Sequence, residues 1–131
     1  MTEATDDYIR VAEFRSALRR FLRRAEKISR AAGLTPQRYL LLLMIRGAPD
    51  GSERSTVTEL AQRLQLAQST VTELVDRSAE AGLVRREPSG DDGRVAHVRL
   101  TEEGARRLAQ AFSDLESERE QLRGDLEQLS A

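Results

Sequence analysis

Between Gln68 and Arg77 the sequence places a dense run of short hydrogen-bonding side chains, QSTVTELVDR. Gln68, Ser69, Thr70, Thr72, Glu73, Asp76 and Arg77 all offer donors or acceptors close to the backbone. Val71, Leu74 and Val75 between them keep the three- and four-residue spacing of one buried helical face, continued by Ala79 and Leu83. Just upstream, Val57, Leu60, Ala61 and Leu64 repeat that spacing, and Leu66 falls where it can plug the space between two helices. Thr56–Leu83 therefore predicts two short helices joined by a tight turn. Short donors and acceptors on a protruding helix suit the major groove of duplex DNA, where base edges are read at close range. The pattern is that of a helix-turn-helix whose second helix does the reading.

Catalytic chemistry is poorly supplied. The chain has no cysteine, which removes disulfides, thiolate metal sites and thiol redox chemistry together, and its single histidine, His97, makes a histidine-based zinc site equally unsupported. There is no phosphate loop and no histidine with a convincing acid partner, so neither an enzyme nor a bound cofactor or metal is expected. At 131 residues the sequence amounts to a single domain, 1–131. Charged residues make up 33% and aromatics 4%, consistent with a mainly helical α+β fold packed on aliphatic side chains. No apolar run approaches the ~20 residues of a membrane span, and the acidic start MTEATDDY does not resemble a signal; a cytoplasmic location follows as an expectation.

The net charge of −1 does not point to nucleic acid, but its distribution is uneven. Residues 1–48 hold ten basic and five acidic side chains, residues 54–100 seven of each, and residues 101–131 four and eight. Any grip on DNA must come from where individual arginines point.

The elements that would position the reading helix are also legible. Residues 7–31 predict a long amphipathic helix with the seam Val11, Phe14, Leu18, Phe21, Ala25 and Ile28. Its other face, Arg15, Arg19, Arg20, Arg23, Arg24, Lys27 and Arg30, reads as a solvated face paired with nearby acids. Gly33 supplies a C-terminal cap. Thr35-Pro36 opens a central, buried helix. After the helix-turn-helix, Val84–Pro88 and Val95–Leu100 flank a Gly/Asp tip and predict a β-hairpin, a wing, with Ala96, Val98 and Leu100 on one face and Val95, His97 and Arg99 on the other. Ser55, Thr56 and Val57 are placed to add a short third strand. Thr101 caps a final helix over 101–130 with the seam Leu108, Phe112, Leu115, Leu122, Leu126 and Leu129, interrupted by Arg119, and Gly124 is placed to bend it. The terminal helices expose longer apolar stripes than a small monomer covers easily. Interlocking with a second chain is the favoured reading; an antiparallel pair within one chain is the other.

Helix, helix, helix-turn-helix, wing and long helix in this order resemble the MarR family of transcriptional regulators. The resemblance runs from about Leu34 to Leu108 and is carried by Leu34-Thr35-Pro36-Gln37, Leu60-Ala61-Gln62-Arg63-Leu64, Ser69-Thr70-Val71-Thr72 and Val75-Asp76-Arg77. It continues through Ala81-Gly82-Leu83-Val84-Arg85-Arg86, Asp92-x-Arg94 and Val98-x-Leu100-Thr101-x-x-Gly104. It implies a winged helix-turn-helix over about 54–100, dimerisation helices over about 7–31 and 101–130, and a homodimer on a pseudo-palindromic duplex. It also implies a repressor released by a small aromatic or anionic effector. By position, Gln68, Ser69, Thr70, Thr72 and Arg77 would face the major groove or its phosphates, with Arg85 and Arg86 within reach of phosphates. Arg94, held by Asp92, would enter the minor groove from the wing tip. Phe14, Phe21, Tyr39 and Leu43 would line the effector cleft. Three departures stand out: Ala67 occupies the cap position of the reading helix, Ser78 sits behind it, and Gly93 replaces the first of the wing's usual paired arginines. With the neutral charge of residues 54–100, they leave one competing reading, a winged-helix interaction module that has lost specific DNA binding.

Overall fold

The computed structural model describes residues 2–88 and 95–130. Its elements run α1 (Glu3–Ala31), α2 (Pro36–Arg46), β1 (Arg54–Ser55), α3 (Val57–Leu64), α4 (Gln68–Glu80), β2 (Val84–Pro88), β3 (Ala96–Leu100), α5 (Glu102–Asp114) and α6 (Glu116–Ser130). The expected mainly helical winged helix-turn-helix is the observed architecture.

Helix starts follow local capping chemistry. Thr2, Thr35, Thr56 and Thr101 each accept a hydrogen bond from an amide of the first turn, satisfying donors that have no partner inside the helix. Pro36 occupies the first turn of α2, where its missing N–H costs nothing. Helix ends are closed with equal care. At the end of α1, Gly33 takes φ +80° and donates to the Arg30 carbonyl, while the Leu34 amide donates to Ser29. Gly82, at φ +77°, and Leu83 repeat this arrangement on Ala79 and Ser78 at the end of α4. In both cases the residue after the glycine, Leu34 or Leu83, is driven into the core.

That core is aliphatic. Leu41, Leu42 and Ile45 of α2 are fully buried against Leu60 of α3, Val71 and Val75 of α4, Val98 of β3 and Ala111 of α5. The apolar run of α2 thus sits at the centre, as its sequence implies. Arg63 of α3 locks the end of α2 by donating to the carbonyls of Met44 (2.7 Å) and Gly47 (3.2 Å).

The sheet has the order β1-β3-β2, antiparallel throughout, with Val84 opposite Leu100 and Pro88 opposite Ala96. The buried face carries Ser55, Val84 and Val98; Arg85, Glu87, His97 and Arg99 alternate onto the other. The third strand is displaced from its expected position: β1 is Arg54–Ser55, because Thr56 is committed as the cap of α3 and Val57 is already helical.

The C-terminal helix also departs from expectation. It is broken at Leu115, not bent at Gly124, which lies inside α6 with open space around it. At the break the Leu115 amide turns toward both Ala111 and Ser113, a local tightening after the weak helix formers Ser113 and Asp114. α6 then runs antiparallel to α1, tied by Arg24 to Glu118 (3.1 Å) and Arg20 to Asp125 (3.6 Å). Within one chain the terminal helices therefore do pair with each other. Of the arginine-rich face of α1, these two arginines find acids, and Arg15, Arg19, Arg23, Lys27 and Arg30 form no ion pair among the described residues. No helix among those residues is long and apolar enough to cross a membrane.

One contact ties the reading head to the terminal helices. The Leu83 carbonyl accepts from the Thr101 amide (3.0 Å), and the Thr101 hydroxyl donates to the Gly82 carbonyl (2.6 Å). Gly104, on the first turn of α5, lies so close that a Cβ there would stand 2.0 Å from the Leu83 oxygen. The spacing Gly82-Leu83 … Thr101-x-x-Gly104 is the requirement of this crossing.

Candidate nucleic-acid interface

Helix α4 buries Val71, Val75 and Ser78 and turns Gln68, Ser69, Thr70, Thr72, Glu73, Asp76 and Arg77 outward, every one of them exposed. The expected polar face therefore forms a single continuous surface. Its residues are partly pre-arranged. The Gln68 side chain donates to the Thr58 hydroxyl, joining α4 to α3, and the Thr72 hydroxyl bonds back to the Gln68 carbonyl at 3.0 Å. Arg77 pairs with Glu73 one turn earlier (2.7 Å), and Asp76 pairs with Arg86 of β2 (2.7 Å). Glu73 rather than Asp76 thus orients Arg77. All four of these charged groups are exposed, so the pairs are exchangeable; surface ion pairs contribute ~0–1 kcal/mol. The face is neutral because its arginines carry their own counterions.

Ala67 makes no side-chain cap, so the first amides of α4 are left to solvent or to an incoming group. Behind the helix, Ser78 is completely buried and its Oγ has no hydrogen-bond partner, the polar packing defect its position suggests. Leu66 in the turn packs against the core as expected. Gln65 before it holds φ +57°, a left-handed conformation that the sequence does not advertise.

The two arginines after Val84 separate. Strand alternation sends Arg86 to Asp76 on α4, whereas Arg85 projects from the opposite face to Glu87 (2.9 Å). Only Arg86 joins the face of α4. Asp92 and Arg94, the expected wing-tip pair, lie outside the described residues. His97 is a half-buried residue of β3, and its Nδ1 is buried with no hydrogen-bond partner.

A cavity of about 290 Å³ lies between α1, α2 and α5. Phe21, Tyr39 and Leu43 line it, together with Leu22, Glu26, Phe112 and Arg119. Phe14 does not. It lines a separate apolar groove with Val11, Leu126 and Leu129, because the antiparallel course of α6 brings the chain's end beside the start of α1. Arg119, out of place in an apolar seam, stacks its guanidinium 4.1 Å from the centre of the Phe112 ring. Burial raises the pKa of the Tyr39 hydroxyl, with the Arg119 charge acting the other way. The misfit of Arg119 was the available sequence signal for this cavity; Leu22 and Phe112 read as ordinary seam or surface residues.

Comparison with known proteins bears on the whole arrangement. The MarR family model matches residues 32–95. The HTH-type transcriptional repressor YetL of Bacillus subtilis (strain 168) is 36% identical over 78 residues, 60% of this chain and 46% of that protein. The chain spans about half the length of the curated relatives it matches. Among solved structures, a MarR family protein from Bacillus stearothermophilus is 30% identical with a TM-score of 0.69, covering 89% of this chain and 78% of that one. A mutant MarR from E. coli, complexed with operator DNA, is 26% identical with a TM-score of 0.67, covering 79% of this chain and 74% of that one. Reading head, wing strands and flanking helices together match, and the chain belongs to the MarR family of winged helix-turn-helix transcriptional regulators.

Proposed function

We propose that this chain is a repressor that binds a pseudo-palindromic operator as a homodimer and is released by a small effector. The observation that carries the reading is the outward face of α4. Gln68, Ser69, Thr70, Thr72 and Arg77 are all exposed on one side of a helix whose other side is fixed in the core. In this reading α4 enters the major groove, Arg77 exchanges Glu73 for a phosphate, and the uncapped amides at Ala67 face the backbone. Arg86 exchanges Asp76 for a phosphate in the same way. Arg94, steadied by Asp92, reaches the narrow minor groove. A similar fold complexed with operator DNA supports the assignment.

Dimerisation is supported by the exposed apolar side chains of the terminal helices. Tyr8, Val11 and Phe14 of α1 are 78%, 60% and 41% exposed, and Phe112 of α5 is 48% exposed. A partner would cover them, and it would set two copies of α4 about one helical turn of DNA apart. The cavity beneath Phe112 is nearly all apolar, with one cation, Arg119, and one carboxylate, Glu26, among its lining residues. That composition suits a small aromatic or anionic effector.

The test is nuclease footprinting upstream of the gene, with Arg77→Ala alongside. A protected inverted repeat that weakens steeply with salt is expected, and the substitution should weaken it further. Absence of any protected repeat at low salt would favour the interaction-module reading, to which the self-neutralised face of α4 lends its support. Val11→Glu with Phe14→Glu should yield a monomer in sedimentation.

A further inference from the structure

The outer face of the sheet carries three arginines in one row. Arg54 of β1 and Arg85 of β2 each stand directly opposite Arg99 of β3. Opposed side chains on one face have their Cβ atoms about 5 Å apart, and like charges there destabilise a sheet. Glu87 pairs with two members of the row, 2.9 Å from Arg85 and 3.9 Å from Arg99, and the Asp50 carboxyl feels the charge of the third, Arg54. Arg54 forms no ion pair among the described residues. His97, opposite Glu87, leaves its buried Nδ1 without a partner and so adds no hydrogen bond from that atom to the carboxylate. The row therefore keeps an excess of positive charge on the face opposite the core, which Val84, Val98 and Ser55 serve from the other side.

We infer that the row Arg54–Arg99–Arg85 is a second phosphate contact, gripping the backbone of duplex that flanks the operator. This rests on the DNA-binding reading above. Guanidinium groups bind phosphate through paired N–H donors, and a row spanning three strands, about 10 Å, presents them as a rigid comb. The row lies on the reverse side of β2 from the face of α4, since Arg86, next in sequence to Arg85, turns the other way to Asp76. The row also lies only three residues from Pro88 and Ala96, the last described pair before the wing tip, about 10 Å along the strands. A wing set into the minor groove brings this face over the phosphates beyond the site that α4 reads.

The experiment compares two duplexes selected by the wild-type protein from random sequence. One is trimmed to the inverted repeat; the other carries about 10 further base pairs on each side. The wild type should bind the longer duplex more tightly. Arg54→Gln with Arg99→Gln should remove that gain, about tenfold, and lower the log–log salt slope on the longer duplex by about 2, with affinity for the trimmed duplex unchanged. Arg54→Gln alone, at an exposed position, should remove about half the slope change and guards against a folding defect in the pair. Glu87→Gln should strengthen binding to the longer duplex. Equal binding of both duplexes by the wild type, or equal losses on both by the variants, overturns the flanking contact and leaves the operator reading intact. A wild-type protein that selects no duplex at low salt overturns both.

Discussion

Helix α3 enters through a complete capping box, in which the Thr56 hydroxyl accepts from the Glu59 amide and the Glu59 carboxylate accepts from the Thr56 amide. Helix α4, three residues beyond its end, enters at Ala67 with no side-chain bond at all. At their other ends the contrast reverses. α3 leaves through Gln65 in a left-handed conformation that costs a non-glycine residue about 1 kcal/mol. α4 leaves through Gly82 into a closed turn clasped by Thr101 and Gly104 of α5. Helix α3 is thus secured at its entrance by its own sequence, and α4 at its exit by a distant one. A helix held by its far end keeps its near end free to adjust.

The largest test of this contrast is Gly104→Ala. Its methyl group would meet the Leu83 carbonyl oxygen at 2.0 Å, a backbone atom that cannot rotate away. A loss of about 3 kcal/mol in denaturant unfolding is expected, and a loss below about 1 kcal/mol would mean that the exit clasp is not what holds α4. Thr56→Ala should cost about 1 kcal/mol by removing one half of the capping box, measured the same way. Ala67→Ser runs in the opposite direction: it should add somewhat under 1 kcal/mol and slow hydrogen exchange at Ser69 and Thr70, giving α4 the kind of entrance that α3 has. Ser78→Ala should be neutral or add about 0.5 kcal/mol, because the hydroxyl it removes is buried without a partner. The smallest effect concerns pH. Arg106 and Arg107 hold the Glu103 carboxyl below the ordinary carboxylate range, so its contribution is present above that range and lost as pH falls through it. Glu103→Gln should shallow the acid limb of the stability profile slightly, and an unchanged limb would show that this exposed cluster adds nothing to the start of α5.

What the sequence discloses follows from the range of each interaction. The caps at Thr35 and Thr101 act within one turn and are legible from spacing alone, whereas Thr56, read as a strand residue, carried the same signal in its spacing to Glu59. The two faces of β3 are legible because strand alternation is strict, and Val98 is buried where the pattern puts it. α1 begins at Glu3, four residues earlier than the apolar seam suggests, although Thr2 and the acidic first turn carried that signal. The break at Leu115 is written in no glycine or proline, so the seam reads straight through it. Phe14 lines a different groove from Phe21, Tyr39 and Leu43 because only the return path of α6 decides where it falls. Spacing does select Glu73 over Asp76 as the partner of Arg77, since an i,i+4 pair shares a helix face and adjacent residues do not. The polar face of α4 was legible; the pairing of Asp76 with Arg86 depends on β2 and was not.

The clasp at Leu83 also has a mechanical meaning. α4 is 13 residues long, so its entrance lies about 20 Å from the point where Thr101 and Gly104 grip its exit. That length is a lever arm. A rotation of α5 by about 10° about this fulcrum, transmitted without slack, displaces Gln68, Ser69 and Thr70 by about 3 Å, the length of a hydrogen bond. The residue at the fulcrum has no side chain, and a glycine at position 104 is what makes the gearing tight.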